Sequence, residues 1–251
     1  MAYDPDLTPL FEACSDQDLD PLVKYLVKPF TSGLKTKQEY IKNRKNPSSY
    51  IFLIVQELQL FGGNTIANAY RRIFGYRRKG ISYKEILHDV AKKMKVKYSS
   101  TEGVDEIEGK LLIKVLDNAL KRMDQNQKEA LFEEFRKAGL KDSDLRAGVP
   151  LTVLFTQAGV QMTGFLAYRL AVIVANAVAK AMIGRGLTLA VNAALTRTLA
   201  MLTGPIGWVI TGLWTVYDVA GPADRVTIPC VLHIAYLRKK KAYEALGGAI
   251  E

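Results

Sequence analysis

Residues 147–217 read AGVPLTVLFTQAGVQMTGFLAYRLAVIVANAVAKAMIGRGLTLAVNAALTRTLAMLTGPIGWVITGLWTVY. Charge appears in this stretch only as Arg169, Lys180, Arg185 and Arg197, and acidic residues not at all. Two uncharged runs, residues 147–168 and 198–217, are 22 and 20 residues long, about the length a membrane-spanning helix needs. Gly, Ala, Thr and Asn are frequent in them, which lets helices approach closely in lipid or in a protein core. Gly204-Pro205-Ile206-Gly207 interrupts the second run, and a proline between glycines predicts a turn. Residues 151–217 therefore read as a hairpin-like apolar unit with Gly204, Pro205 and Gly207 at its turn. Trp208 and Trp214 are placed where amphipathic rings favour a bilayer interface. A buried hairpin in a water-soluble helical domain has the same composition. A spanning, an insertable and a purely internal hairpin all remain open on this reading.

Downstream, the apolar residues 228–237 run into Arg238-Lys239-Lys240-Lys241. That order suits a juxtamembrane contact with an anionic leaflet, and equally cations at the C-terminal end of a helix. Val226-Thr227-Ile228-Pro229 is β-branched before a proline, which predicts extended chain with a last helix starting at Pro229.

Upstream, the periodicity is that of ordinary amphipathic helices. Residues 7–14 and 19–27 form a small helical pair, with Ser15 and Asp18 at capping-box spacing. A strong apolar helix follows over residues 51–61 and ends at Gly62-Gly63-Asn64, read as a tight turn with positive φ. Ser82 and Glu85 repeat the capping spacing ahead of Ile86, Leu87, Val90, Ala91 and Met94. Ile107, Leu111, Leu112, Val115, Leu116 and Leu120 mark a helix over residues 102–123, followed by another over 125–138. The fold class is all-α: a multi-helix bundle with a C-terminal apolar helical hairpin-like unit. Composition divides the chain into residues 1–144, basic and amphipathic, and 145–251, apolar and rich in Gly and Ala with a basic C-terminal helix.

The 35 Lys and Arg against 25 Asp and Glu leave a formal charge of +10, which favours a polyanionic partner. Residues 71–97 hold ten basic and two acidic residues, whereas residues 1–50 balance at seven of each. Arg71, Arg72, Arg77, Arg78 and Lys79 are interleaved with Tyr70, Phe74 and Tyr76, which suits headgroups or stacked bases. Cys14 and Cys230 sit among apolar residues, the setting of buried free thiols. His88 and His233 lack the spacing of a zinc site. No Walker loop, dinucleotide fingerprint, nucleophile elbow or zinc-protease motif occurs. Gly204-x-x-Gly207 and Gly184-x-Gly186 lack the strand and helix context of phosphate cradles and read as turns. The expectation is a non-enzymatic protein without metal or cofactor. The acidic opening MAYDPDLTPLFEACSDQD has no apolar h-region, which predicts no cleavable signal and a cytoplasmic protein, peripheral to or inserted in the inner membrane.

Three blocks carry a resemblance: Glu57 to Asn68 (ELQLFGGNTIAN), Tyr83 to Val90 (YKEILHDV) and Arg225 to Arg238 (RVTIPCVLHIAYLR). Together they resemble the bacterial YaaW family of uncharacterised proteins, and residues 7–26 resemble the short N-terminal motif often attached to it. The resemblance spans nearly the whole chain. It implies no catalytic or binding residue. Some members carry the label of ubiquinol-cytochrome c chaperone, which implies a protein partner.

The reading taken from the residues is a membrane-associating helical protein. Arg71, Arg72, Arg77, Arg78, Lys79 and Arg238 to Lys241 would meet anionic lipid, and the apolar hairpin would insert to permeabilise or remodel a bilayer, as a pore-forming effector does. A soluble chaperone or interaction module is the first alternative, and a nucleic-acid binding protein the second. The oligomeric state is left open.

Overall fold

Apolar residues recur at three- and four-residue spacing along the chain, and the computed structural model folds these segments as helices. It describes residues 3–29, 32–63, 80–137, 140, 151, 153, 164–187, 193–216 and 223–248, with the side chains of 193, 194 and 213–216 left aside. In chain order the α-helices are α1 (Thr8–Glu12), α2 (Asp16–Val27), α3 (Gln38–Lys42), α4 (Ile51–Gly62) and α5 (Tyr83–Lys93). They continue with α6 (Val104–Leu120), α7 (Gln125–Lys137), α8 (Gly164–Ile183), α9 (Ala193–Val216) and α10 (Asp224–Ala245). No strand occurs among the described residues, and the fold class is all-α.

Both capping boxes form. The Asp18 N–H donates to Ser15 Oγ at 3.3 Å and the Ser15 N–H to Asp18 Oδ2 at 3.1 Å. Ser82 and Glu85 make the same reciprocal pair at the start of α5. Each box satisfies two donors that a helix start leaves without partners.

Three local expectations at glycine and proline are corrected. Gly62 is the last residue of α4, and Gly63 caps it at φ −67° and ψ −9°, right-handed values that any residue adopts. Asn64 lies outside the described residues. Gly62 is needed for closeness: a Cβ there would collide with Ile86 Cγ1 and Cδ1, so α4 meets α5 with no room for a methyl group. Pro205 makes no turn, because α9 runs unbroken through Gly204, Pro205 and Gly207. Pro229 does not open the last helix, which starts at Asp224 and contains it. A proline inside a helix costs about 3 kcal/mol. Both prolines are buried within long stretches of packed apolar side chains, and that burial outweighs the lost bond.

The apolar pair α8 and α9 is also corrected in its sense. Asn176 Nδ2 donates to Thr203 Oγ1 at 3.3 Å, across 27 residues. Arg169 of α8 and Thr198 of α9, 29 residues apart (198 less 169), both donate to one carboxylate, Glu134. A near-constant difference means that the helices run in the same direction; a hairpin would keep the sum constant. The chain therefore doubles back after α8. The Leu187 N–H already donates to Asn176 Oδ1 at 3.0 Å, and a Cβ on Gly186 would collide with that oxygen.

Buried side chains from Leu7 to Leu237 join in one continuous core, so the change of composition near residue 145 marks no gap in packing. Its centre is α8 and α10. Leu166 to Ala179 of α8 and Val226 to Leu237 of α10 are buried without interruption. α8 alone among the described helices is long and apolar enough to cross a membrane, and here the surrounding helices cover it.

Candidate functional site

Arg238 to Lys241 are one of the two basic stretches expected to meet an anionic surface, and the structure gives all four cations partners within the chain. Arg238 Nε donates to Glu108 Oε2 at 2.8 Å, and its Nη2 to the Asp6 carbonyl at 3.0 Å. Lys239 pairs with Asp105 at 2.7 Å, Lys240 with Asp18 at 2.5 Å and Lys241 with Glu244 at 2.7 Å. Lys239 is 5% exposed. Instead of meeting headgroups, Arg238, Lys239 and Lys240 fasten α10 to α2 and α6, and Lys241 pairs within α10, which corrects their assignment. Their carboxylate partners were invisible to a reading along the chain.

The acids respond to that burial in opposite ways. Burial raises the Glu108 carboxyl, against the pull of Arg238 and of the Tyr83 hydroxyl that donates to it at 2.6 Å. Burial also acts on Asp18, but its bonds and charge contact with Lys240 and its bonds from Ser15 prevail and hold it below the usual carboxylate range. His233 Nε2 donates to the Asp18 carbonyl at 2.9 Å, and complete burial lowers its pKa to about 4. Burial, with Asp18 adding to it, pushes the Cys14 thiol up to about 12, and burial likewise raises Cys230. Neither thiol is primed as a nucleophile. Among the described residues no group of three or more His, Cys, Asp or Glu is placed to hold a metal. The cavity lined by Gly62, Ile86, Asp89, Lys93, Asp224 and Thr227 is water-sized.

A different feature comes to the surface on α9. Leu195, Leu199, Leu202, Pro205, Ile206, Val209 and Ile210 form its buried stripe. The opposite face presents Ala200, Gly204 and Trp208, flanked by half-buried Gly207, Thr211 and Gly212. Trp208 is 68% exposed. Arg197 is exposed one turn before Ala200; beyond it no charged residue occurs between Thr198 and Val216, so the outward face from Ala200 to Gly212 carries no charge. A Cβ added at Gly204, Gly207 or Gly212 would meet nothing within 4 Å. Packing among the described residues therefore gives no reason for the three glycines.

Of the residues singled out in the sequence, the structure brings Gly204, Gly207 and Trp208 together on one face, with Pro205 behind it. The Trp214 side chain and Arg71, Arg72, Arg77, Arg78 and Lys79 lie outside the described residues.

No protein-family model matches the chain, and no solved structure does. Similar curated proteins do exist. A UPF0174 protein of Helicobacter pylori strain J99 is 41% identical over 244 residues, covering 95% of this chain and 92% of the relative. A second UPF0174 protein of that strain is 35% identical over 210 residues, covering 82% and 96%. The UPF0174 protein YaaW of Escherichia coli K12 is 35% identical over 187 residues, covering 74% and 70%. Identity at this level over nearly the full length places the chain in the UPF0174 family, the family that contains YaaW.

Proposed function

We propose that this protein is a non-enzymatic helical module that docks on membranes from the aqueous side, with the outward face of α9 as its lipid contact. The observation that carries the reading is the uncharged face from Ala200 to Gly212 with Trp208 standing out of it. An indole in water is unfavourable, and at the boundary between headgroups and acyl chains it satisfies both its ring and its N–H. A helix with one face committed to the core and the other free of charge lies in the plane of a membrane more readily than it crosses one. Permeabilisation asks for more. It would require α8 to leave the core, breaking the buried Arg169–Glu134 pair, and is set aside in favour of surface docking.

The test is co-sedimentation with vesicles, with dye release read in the same tubes. Wild type pellets with the vesicles without releasing dye, and Trp208→Ala lowers binding at least about tenfold, the loss of one interfacial indole. Protein that stays in the supernatant with every vesicle composition overturns the reading. A second reading rests on Gly204, Gly207 and Gly212, whose open surfaces suit close approach by a helix of another protein. It gains if vesicles are ignored.

A further inference from the structure

We propose that the end of the molecule where α2 and α8 finish is a docking patch for anionic lipid headgroups. Lys28 caps α2 and donates its Nζ to the carbonyl of Met182, in the last turn of α8. Arg185, just past α8, reaches Asp20 of α2 at 3.6 Å. These two contacts bring Lys24, Lys28, Lys180 and Arg185 to one region, where Asp20 is the acid they approach. Lys24 and Arg185 share Asp20. The contact of Lys28 is a neutral carbonyl, and Lys180 makes no ion pair among the described residues. Lys28 and Lys180 are exposed, and Arg185 has 64% of its side chain in solvent.

Cations are expected at helix C-termini, and that ordinary role has to be subtracted first. Each terminus carries roughly half a negative charge, so the ends of α2 and α8 together balance about one cation. Four cations less Asp20 leave three, and two remain after the termini are counted. The C-terminal block makes the contrast: Arg238 to Lys241 face Glu108, Asp105, Asp18 and Glu244. Among the described residues the excess at the end of α8 is answered by no such set.

The neighbourhood chooses the partner. Because α9 runs alongside α8 in the same direction, the 27-residue offset between Asn176 and Thr203 places Trp208 level with Ala181. An exposed indole on the uncharged stretch of α9 thus lies at the height of Lys180. Cations at the height of an exposed indole and an uncharged stretch of helix suit a bilayer that is anionic at its surface and apolar beneath. A nucleic acid would use the cations and leave the uncharged face unmatched.

This inference rests on the membrane reading of α9 and is tested so that the two can fail separately. The full chain and the Lys180→Gln/Arg185→Gln double variant are titrated with phosphatidylcholine vesicles, with and without phosphatidylglycerol, and with a DNA duplex at the same salt. Both side chains are exposed, and a circular dichroism melt checks that the variant folds. Wild type is expected to prefer the phosphatidylglycerol vesicles, and the variant to lose about 30-fold on them while binding phosphatidylcholine unchanged, as removal of two surface charges predicts. Equal wild-type binding to both vesicle types, or a variant that binds like wild type, removes the patch and leaves the α9 reading standing. Binding to neither vesicle type removes both. Binding to the duplex alone replaces lipid with nucleic acid and overturns the proposal.

Discussion

α8 and α9 share an apolar character and have opposite surroundings. Both are apolar and both are long, α8 with six alanines and α9 with three alanines, three glycines and five threonines. α8 is buried on every side from Leu166 to Ala179, its one arginine in the middle of a bond network with Glu134. α9 buries one stripe and shows the other face to water, with Trp208 at its centre. An apolar helix in this chain is therefore no sign of lipid contact by itself. What distinguishes the two is whether neighbouring helices cover the face, and that is where a search for function belongs.

The same charge placed in each helix should break or confirm that distinction most forcefully. Val174→Asp puts an unpaired carboxylate into the core at a position with no exposure, and is expected to abolish cooperative folding. Trp208→Asp on the open face should change stability by no more than about 0.5 kcal/mol. Between these extremes lies Arg238→Ala, which leaves Glu108 without its cation in the interior and should remove about 3–5 kcal/mol. Urea unfolding followed by far-ultraviolet circular dichroism ranks the three. A Trp208→Asp protein as damaged as Val174→Asp would mean that the face of α9 is covered after all.

Acid should act on the interior and spare the face. His233 has its pKa lowered by burial from 6.5 to about 4. Between those values the unfolded chain takes up a proton that the folded chain refuses, so stability falls as pH drops through that window. The loss is about 3 kcal/mol at 1.36 kcal/mol per unit. Asp18, held below its ordinary value, adds a loss at still lower pH as its carboxylate is protonated. Glu108, raised by burial, works in the opposite sense. The comparison that isolates the histidine is therefore wild type against His233→Gln at pH 7 and pH 4.5. A flatter pH profile in the variant supports the assignment, and identical profiles refute it.

Helices were legible from local rules, because capping boxes and periodicity act within a few residues. Ser15 with Asp18 and Ser82 with Glu85 mark their helix starts within the sequence itself. The uses of charge were not legible. Lys240 and Asp18 are 222 residues apart, Arg238 and Glu108 130, so a basic run that folds inward looks the same as one that stays outside. Lys180 and Arg185 show the converse, isolated in sequence and gathered with Lys24 and Lys28 only by the packing of α2 on α8. The direction of α9 was hidden for a related reason. Gly204-Pro205-Ile206-Gly207 has the chemistry of a turn, and only the Asn176–Thr203 and Glu134 bonds reveal a helix that passes through it parallel to α8.

The smallest expected effect separates the two readings of α9 most cleanly. Gly204 is helical and exposed, with open space where a Cβ would stand, so Gly204→Ala should raise stability by up to about 1 kcal/mol through the lower backbone entropy of the unfolded chain. Gly184, at the end of α8, has φ +78° and equally open surroundings. There the same substitution meets a strained backbone and should lower stability by about 1 kcal/mol. The opposite signs, read as shifts of the urea midpoint, check the contrast between a glycine that its fold needs and one that it does not. Gly204→Ala also reports on what lies outside. Acyl chains and headgroups adapt around one methyl group, so a membrane-docking face keeps its vesicle affinity as the protein becomes more stable. A partner helix packed directly on Gly204 cannot move aside in the same way. Higher stability with lost capture of such a partner would assign the face to protein.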